Sequence, residues 1–187
     1  MGDCTVFLSF DETEADVTGF HAANADEPML TGLAAGTLVL TADGVLPVEF
    51  LSVGDRIVTR AGMKKLRNIR ASDYSGEAVR VCAQALGPDH PDRDMILPEA
   101  AQVLVRDWRA EAMFGEKQVM VAVGWLVDEE FITNAEVQSL RVFELEFDSP
   151  QVIYANGMEF GCGEMTPELY TAPPAPEIGA LLPGVQV

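Results

Sequence analysis

The sequence predicts an all-β fold, on two observations. Short apolar runs rich in Val, Ile, Leu and Thr recur through residues 31–165 at roughly ten-residue spacing, the rhythm of a β-sandwich or barrel. Turn residues stand between them, most clearly at Ala42-Asp43-Gly44, Gly54-Asp55 and Asn156-Gly157.

Each element has its own warrant. Thr5 to Phe10 reads as a strand able to add to a sheet edge, and an acidic stretch follows it (Asp11, Glu12, Glu14, Asp16, Asp26, Glu27). Residues 1–30 are therefore an acidic leader. Thr37 to Thr41 is strand-like, because Thr, Leu and Val suit a pleated surface. Asp43-Gly44 turns the chain, and Pro47-Val48-Glu49 continues as an edge strand, where a missing proline N–H does no harm. Phe50 to Val53 reads as one helical turn, stopped by Gly54-Asp55. Arg56 to Arg60 resumes the sheet, and Ala61-Gly62 turns it into Met63 to Arg70. Ala78 to Ala83 alternates, with Val79 and Val81 on one face and Arg80 and Cys82 on the other. Gly87 to Asp92 is a loop by its turn residues. Met95–Leu97, Val103–Val105, Val119–Val123, Leu140–Phe147 and Val152–Tyr154 are short apolar strands, and Arg109–Phe114 and Ala122–Val127 hold short helical turns. Asn156-Gly157 is the signature of a type I′ hairpin. Pro173, Pro174, Pro176 and Pro183 mark residues 166–187 as a Pro-rich tail.

The composition excludes several function classes. The chain of 187 residues carries a net charge of -18, which repels phosphate backbones and anionic lipid, so neither nucleic acid nor membrane is an expected partner. The charge is uneven. Residues 1–55 hold ten acids and no Lys or Arg, residues 56–70 hold six cations and no acid, and the chain after Arg141 holds seven acids and no cation. The basic stretch fits two uses: neutralising the acidic flanks of its own chain, or contacting an acidic partner. No apolar run approaches a membrane span. Cys4, Cys82 and Cys162 lie far apart, an odd count that argues against a disulfide framework and for reduced thiols in a cytoplasm. The N-terminus lacks the positive region of a signal peptide. His21 and His90 have no ligand neighbours at metal-binding spacing, so no metal or other cofactor is expected.

The spacing of Gly36, Thr37, Thr41, Gly44, Pro47, Val48, Glu49, Leu51, Gly54, Asp55 and Val58 resembles the opening block of the Hint domain, the fold of hedgehog autoprocessing domains and inteins. Ala85 to Gly115 is similar to the middle of the bacterial stand-alone Hint subfamily, and Val152 to Glu159 to its closing strand and hairpin. Together they place a Hint-like domain over residues 31–165.

The resemblance implies a chemistry. A thiol or hydroxyl attacks the carbonyl of the preceding residue, a middle-block histidine protonates the departing nitrogen, and a second nucleophile resolves the ester. Such covalent catalysis needs an activated nucleophile beside an acid–base partner. Here the nucleophile position is Gly32 and the histidine position falls near Ala101. Both are empty. The substitutes are Thr31, one residue out of register, and Cys162, whose flanking glycines suggest an exposed loop. A kept scaffold predicts that Gly32→Cys with Ala101→His restores trace cleavage.

The expected function is a degenerate Hint-like module that binds another protein or a second copy of itself. The alternative is an active self-cleaving domain with a displaced nucleophile, and a third reading is an accessory part of a larger assembly. Asp92-Arg93-Asp94 reads as a local ion pair, and Trp108 and Trp125 as partly buried anchors that would mark a binding surface if both were exposed.

Overall fold

The computed structural model describes residues 32–88 and 90–167. The predicted strand at 5–10, Cys4, His21, Thr31 and the tail beyond residue 167 lie outside these residues. Within them the fold is all-β, with one α-helix of seven residues.

Two sheets carry the chain. The first has four strands: β1 (Leu33–Ala34), β6 (Asn68–Val81), β7 (Met95–Pro98) and β10 (Ile132–Glu146), in the order β1-β10-β6-β7. The second has eight: β2 (Leu38–Thr41), β3 (Gly44–Pro47), β4 (Arg56–Thr59), β5 (Gly62–Lys65), β8 (Gln102–Val105), β9 (Val119–Ala122), β11 (Gln151–Ala155) and β12 (Met158–Cys162). Their order is β3-β2-β4-β11-β12-β8-β9, with β5 on β4.

The hairpins β2-β3 and β4-β5 use one device twice. Thr41 and Thr59 are buried, and each hydroxyl donates to the carbonyl of the glycine three residues on, at 2.7 Å to Gly44 and 2.6 Å to Gly62. Each hydroxyl oxygen also accepts from the backbone N–H two residues on, so the side chain replaces bonds that a tight turn leaves unmade. Between the hairpins the helical turn arrives earlier than the sequence predicts. It is a 3-10 turn at Val48–Phe50, because Val48 is drawn fully into the core and its N–H donates to Thr37 O at 2.8 Å. The edge strand β3 accordingly stops at Pro47.

The largest departure is β6 and β10. The sequence places one segment at 63–70 and another at 78–83; the first divides between β5 and the start of β6, and β6 runs on unbroken for 14 residues from Asn68 to Val81, while β10 opens at Ile132, not Leu140. The two pair antiparallel along nearly their whole length, with a bulge between Val137 and Leu140. The ends of this ribbon hold core side chains (Val79, Val81, Ile132, Leu145), while its middle, around Ser72-Asp73-Tyr74-Ser75-Gly76, is polar and meets solvent. Such a segment has no buried face to write a period-2 pattern into the sequence.

The expected helical turns appear as α1 (Trp108–Phe114) and a 3-10 turn at Val123–Leu126. Asp107 caps α1, accepting the Arg109 N–H at 2.9 Å, and Gly115 ends it in the left-handed region. Asn156 and Gly157 both have positive φ, 45° and 73°, and join β11 to β12 with Ala155 opposite Met158, as a type I′ hairpin requires. Asn156 is also a buried brace: its Oδ1 accepts the Leu38 N–H and its own N–H donates to Leu38 O, both at 2.9 Å.

Side chains from both sheets share one core, with Val39, Val48, Ile57, Leu66, Val79, Leu97, Val103, Ile132, Ile153 and Phe160 almost wholly buried. Full burial of each contributes about 1.5–3 kcal/mol before entropy is counted. Among the described residues no helix is long and apolar enough to cross a membrane.

Candidate functional site

Two of the residues singled out by the sequence, Gly32 and Cys162, border one cavity of about 410 Å³, together with Arg70, Phe143, Glu144 and Gly161. Gly32 stands one residue before β1, and because Leu33 pairs with Phe143, it is pressed against the backbone of β10. A β-carbon at Gly32 would lie 2.8 Å from Phe143 O, 3.0 Å from the Phe143 carbonyl carbon and 3.3 Å from Glu144 Cγ. The position therefore lacks both an attacking atom and the room for one.

Cys162 lines the same cavity. It ends β12, half-buried and packed against the core, not in the exposed loop its flanking glycines suggested. Burial pushes its thiol up to about 12, far from the thiolate that attack needs. Ala101 is elsewhere. Its side chain is fully buried in the core, its N–H donates to Pro98 O at 2.9 Å, and its carbonyl accepts the Val123 N–H at 2.8 Å. It does not line the cavity, so the structure brings Gly32 and Cys162 together and leaves Ala101 outside.

The cavity mouth is ionic. Arg70 reaches Glu144 at 3.1 Å and Glu146 at 2.9 Å, and Arg67 grips Asp148 at 2.7 Å. The hydrogen bond from Arg67 holds the Asp148 carboxyl below its usual range, with the charges of Arg67 and Lys64 adding to it against burial. These pairs are exposed and contribute little stability. Their meaning is local: part of the basic stretch does neutralise the chain's own C-terminal acids.

A second cluster escaped the sequence reading. Glu159 on β12 is buried between two arginines, Arg60 and Arg106, each at 2.8 Å. Arg60 is buried too, and Arg106 is half-exposed. Tyr154 lies opposite Glu159, and burial, followed by the Glu159 charge, raises its hydroxyl pKa. The only sign in the sequence was an acid inside the apolar run Met158-Glu159-Phe160; its partners are too distant along the chain to be foreseen. A third cluster joins Glu99 to Glu77. Burial first, then the hydrogen bond and charge of Glu77, raises the Glu99 carboxyl. The Tyr74 hydroxyl donates to Glu77 O beside them.

Other predicted features sort plainly. Arg93 meets Asp92 at 3.4 Å as expected, but Asp94 turns away to Arg80 at 2.8 Å and to the Ala83 N–H. Those bonds, the Ala83 N–H first, hold its carboxyl low. His90 is an exposed loop residue bonded to Pro88 O. Trp108 and Trp125 are 70% and 55% exposed, so both stand on the surface and neither is an anchor. Among the described residues no group of side chains is arranged to hold a metal ion.

The comparisons with known proteins agree with this architecture. The intein-like domain of Clostridium thermocellum superposes with a TM-score of 0.53 at 13% identity, over 72% of this chain and 99% of that one. The AceL NrdHF class 3 split intein, in a splice-inactive variant, gives 0.49 at 10% identity, over 73% of this chain and 100% of that one. At 13% identity the likeness to the Clostridium thermocellum domain is one of fold. No curated protein matches the sequence. The Hint domain family matches residues 31–162, more than half of the chain, and the protein belongs to that family.

Proposed function

We propose that this Hint domain has lost autoprocessing and serves as a protein-interaction or structural module. The observation that carries the reading is the crowding at Gly32, where a β-carbon would meet the Phe143 carbonyl at 2.8 Å. An acyl shift needs a nucleophile positioned on the carbonyl before it, and this position offers neither the atom nor the space. Ala101 supports the same reading, being an aliphatic side chain packed in the core where proton transfer would need an imidazole. Exposed Trp108 and Trp125 supply aromatic surface of the kind that binding partners cover. The free thiols of Cys82 and Cys162 suit a reducing, cytoplasmic setting.

A displaced nucleophile is the second reading, and one observation favours it: Cys162 borders the cavity that Gly32 borders. A thiol held near 12 presents almost no thiolate at neutral pH, which ranks this reading below the first.

Intact mass of the full-length chain, followed over prolonged incubation with and without a strong thiol, separates them. A single unchanged mass is expected. Release of a fragment ending at Leu30 or Thr31 overturns the first reading, and its loss in Cys162→Ala would establish the second.

A further inference from the structure

The protein carries twelve Lys and Arg residues, all among the described ones. Eight, all arginines, are held in ion pairs. Arg56, Lys64, Lys65 and Lys117 have no ion-pair partner among the described residues, and the first three share the β4-β5 hairpin. A chain of net charge -18 has no shortage of acids to pair them. Arg56 and Lys65 stand directly opposite each other in the ladder, an arrangement of like charges that costs stability. A lysine on the edge strand β5 discourages strand addition, but that use does not call for an arginine across from it.

Apolar surface adjoins these cations. On the segment that leads into β4, Phe50 is 70% exposed and Val53 is 61% exposed. A β-carbon added at Gly54, the neighbour of Val53, would lie 3.5 Å from Lys65 Cε, so the Lys65 side chain runs beside this segment. Phe50, Val53, Arg56 and Lys65 thus form a cationic–apolar patch, suited to an acidic segment with interspersed apolar residues.

This chain contains such a segment. Residues 1–31 hold seven acids, no Lys or Arg, and the apolar side chains of Phe7, Phe10, Val17 and Phe20. Their point of attachment is close. The Gly36 N–H donates to Glu49 Oε2 at 2.8 Å, and Glu49 precedes Phe50. Gly32 is only four residues before Gly36, so the two are at most ~14 Å apart. A short tether of this kind gives an effective concentration of order millimolar. We propose that residues 11–27 of the acidic leader dock in cis on the Phe50–Val53–Arg56–Lys65 patch.

Zero-length carbodiimide coupling of the full chain tests this, since it joins carboxylates to amines only in contact. Lys117, equally without an ion-pair partner but away from the patch, is the internal control. The expected result is coupling of Lys64 or Lys65 to carboxylates of residues 11–27 in the monomer band, severalfold above Lys117. It should be lost in about 1 M salt, where the Debye length is ~3 Å. It should fall severalfold in Phe50→Ala/Arg56→Glu and in a chain with Asp11, Glu12, Glu14 and Asp16 changed to their amides. The second variant alters no described residue, and a melting temperature matching the parent's checks that its fold is kept. Equal yields at Lys65 and Lys117, insensitivity to salt, or coupling confined to a dimer band would each overturn docking in cis; the last would assign the patch to a second copy.

Discussion

Replacing Gly32 by alanine adds a single carbon and tests the reading of this site at its weakest point. That carbon would sit 2.8 Å from Phe143 O and 3.0 Å from the carbonyl carbon. Both distances are roughly 0.5–1 Å inside the ~3.5 Å optimum for such contacts. Glu144 Cγ, at 3.3 Å, belongs to a flexible side chain and can move aside. The Phe143 carbonyl is part of the β1-β10 ladder and can move only with its strand. Overpacking of this kind costs about 1–3 kcal/mol. For a chain of this length each kcal/mol lowers Tm by roughly 2–4 °C, so Gly32→Ala should melt several degrees below the parent, with its urea midpoint reduced in proportion. The expectation for Gly32→Cys with Ala101→His changes in consequence. The opening block alone predicts trace cleavage, but the pair now meets a closed wall at position 32 and a core site at position 101, and no fragment should appear. Undiminished stability of Gly32→Ala, or cleavage by the double variant, would refute the argument that the space has been lost along with the atom.

Three further outcomes are expected. Glu159→Gln leaves Arg60 buried without its counter-charge and should cost about 3–5 kcal/mol; Glu159→Leu with Arg60→Met should recover much of it, and a double variant no better than the single in urea denaturation contradicts this. Gly44→Val and Gly54→Val should each cost about 1–3 kcal/mol. The cause is strain, since φ is 112° and 104° and nothing comes closer than 3.5 Å; two unchanged melting temperatures would be decisive against it. Glu99, its carboxyl raised by burial and Glu77, binds its proton more tightly folded than unfolded. Stability from this group is thus present at low pH and is lost as pH rises from the ordinary glutamate value through the raised one. Glu99→Gln removes that loss, so the variant should gain on the parent as pH rises above the ordinary glutamate value; parallel stability profiles would exclude the effect.

The parts of the fold legible in the sequence were those where local chemistry and tertiary position agree. Thr41-Ala42-Asp43-Gly44 and Asn156-Gly157 declare turns through residues that make the turn themselves, and Val79 and Val81 declare a buried face by alternation. The long ribbon of β6 and β10 was illegible because its centre is exposed on one face and only half-buried, with polar residues and glycine, on the other, so its pairing is written in no hydrophobic period. The candidate site was half legible. Gly32 stood out by its place before the opening block, but the carbonyl pressed against it comes from Phe143, over a hundred residues away. Cys162 was misplaced because two flanking glycines read as a loop, whereas here they flank the end of a packed strand.

On the proposed reading, the positions that carry the family resemblance are ones a scaffold can keep without its chemistry. The Gly36 N–H is held by the Glu49 carboxylate, the Ser52 N–H by Asp55, both at 2.8 Å, and the Thr41 hydroxyl closes its own turn. Asn156 ties the last hairpin to β2 from the far end of the domain. None of these side chains needs the nucleophile or the histidine in order to do this. Two substitutions can therefore abolish the reaction while every turn-forming bond survives, and selection on stability alone would keep the pattern. A match to that pattern is then evidence of the fold, and activity must be argued from the two positions themselves. At the two positions to which the resemblance points, this chain presents a glycine against a carbonyl and an alanine in the core.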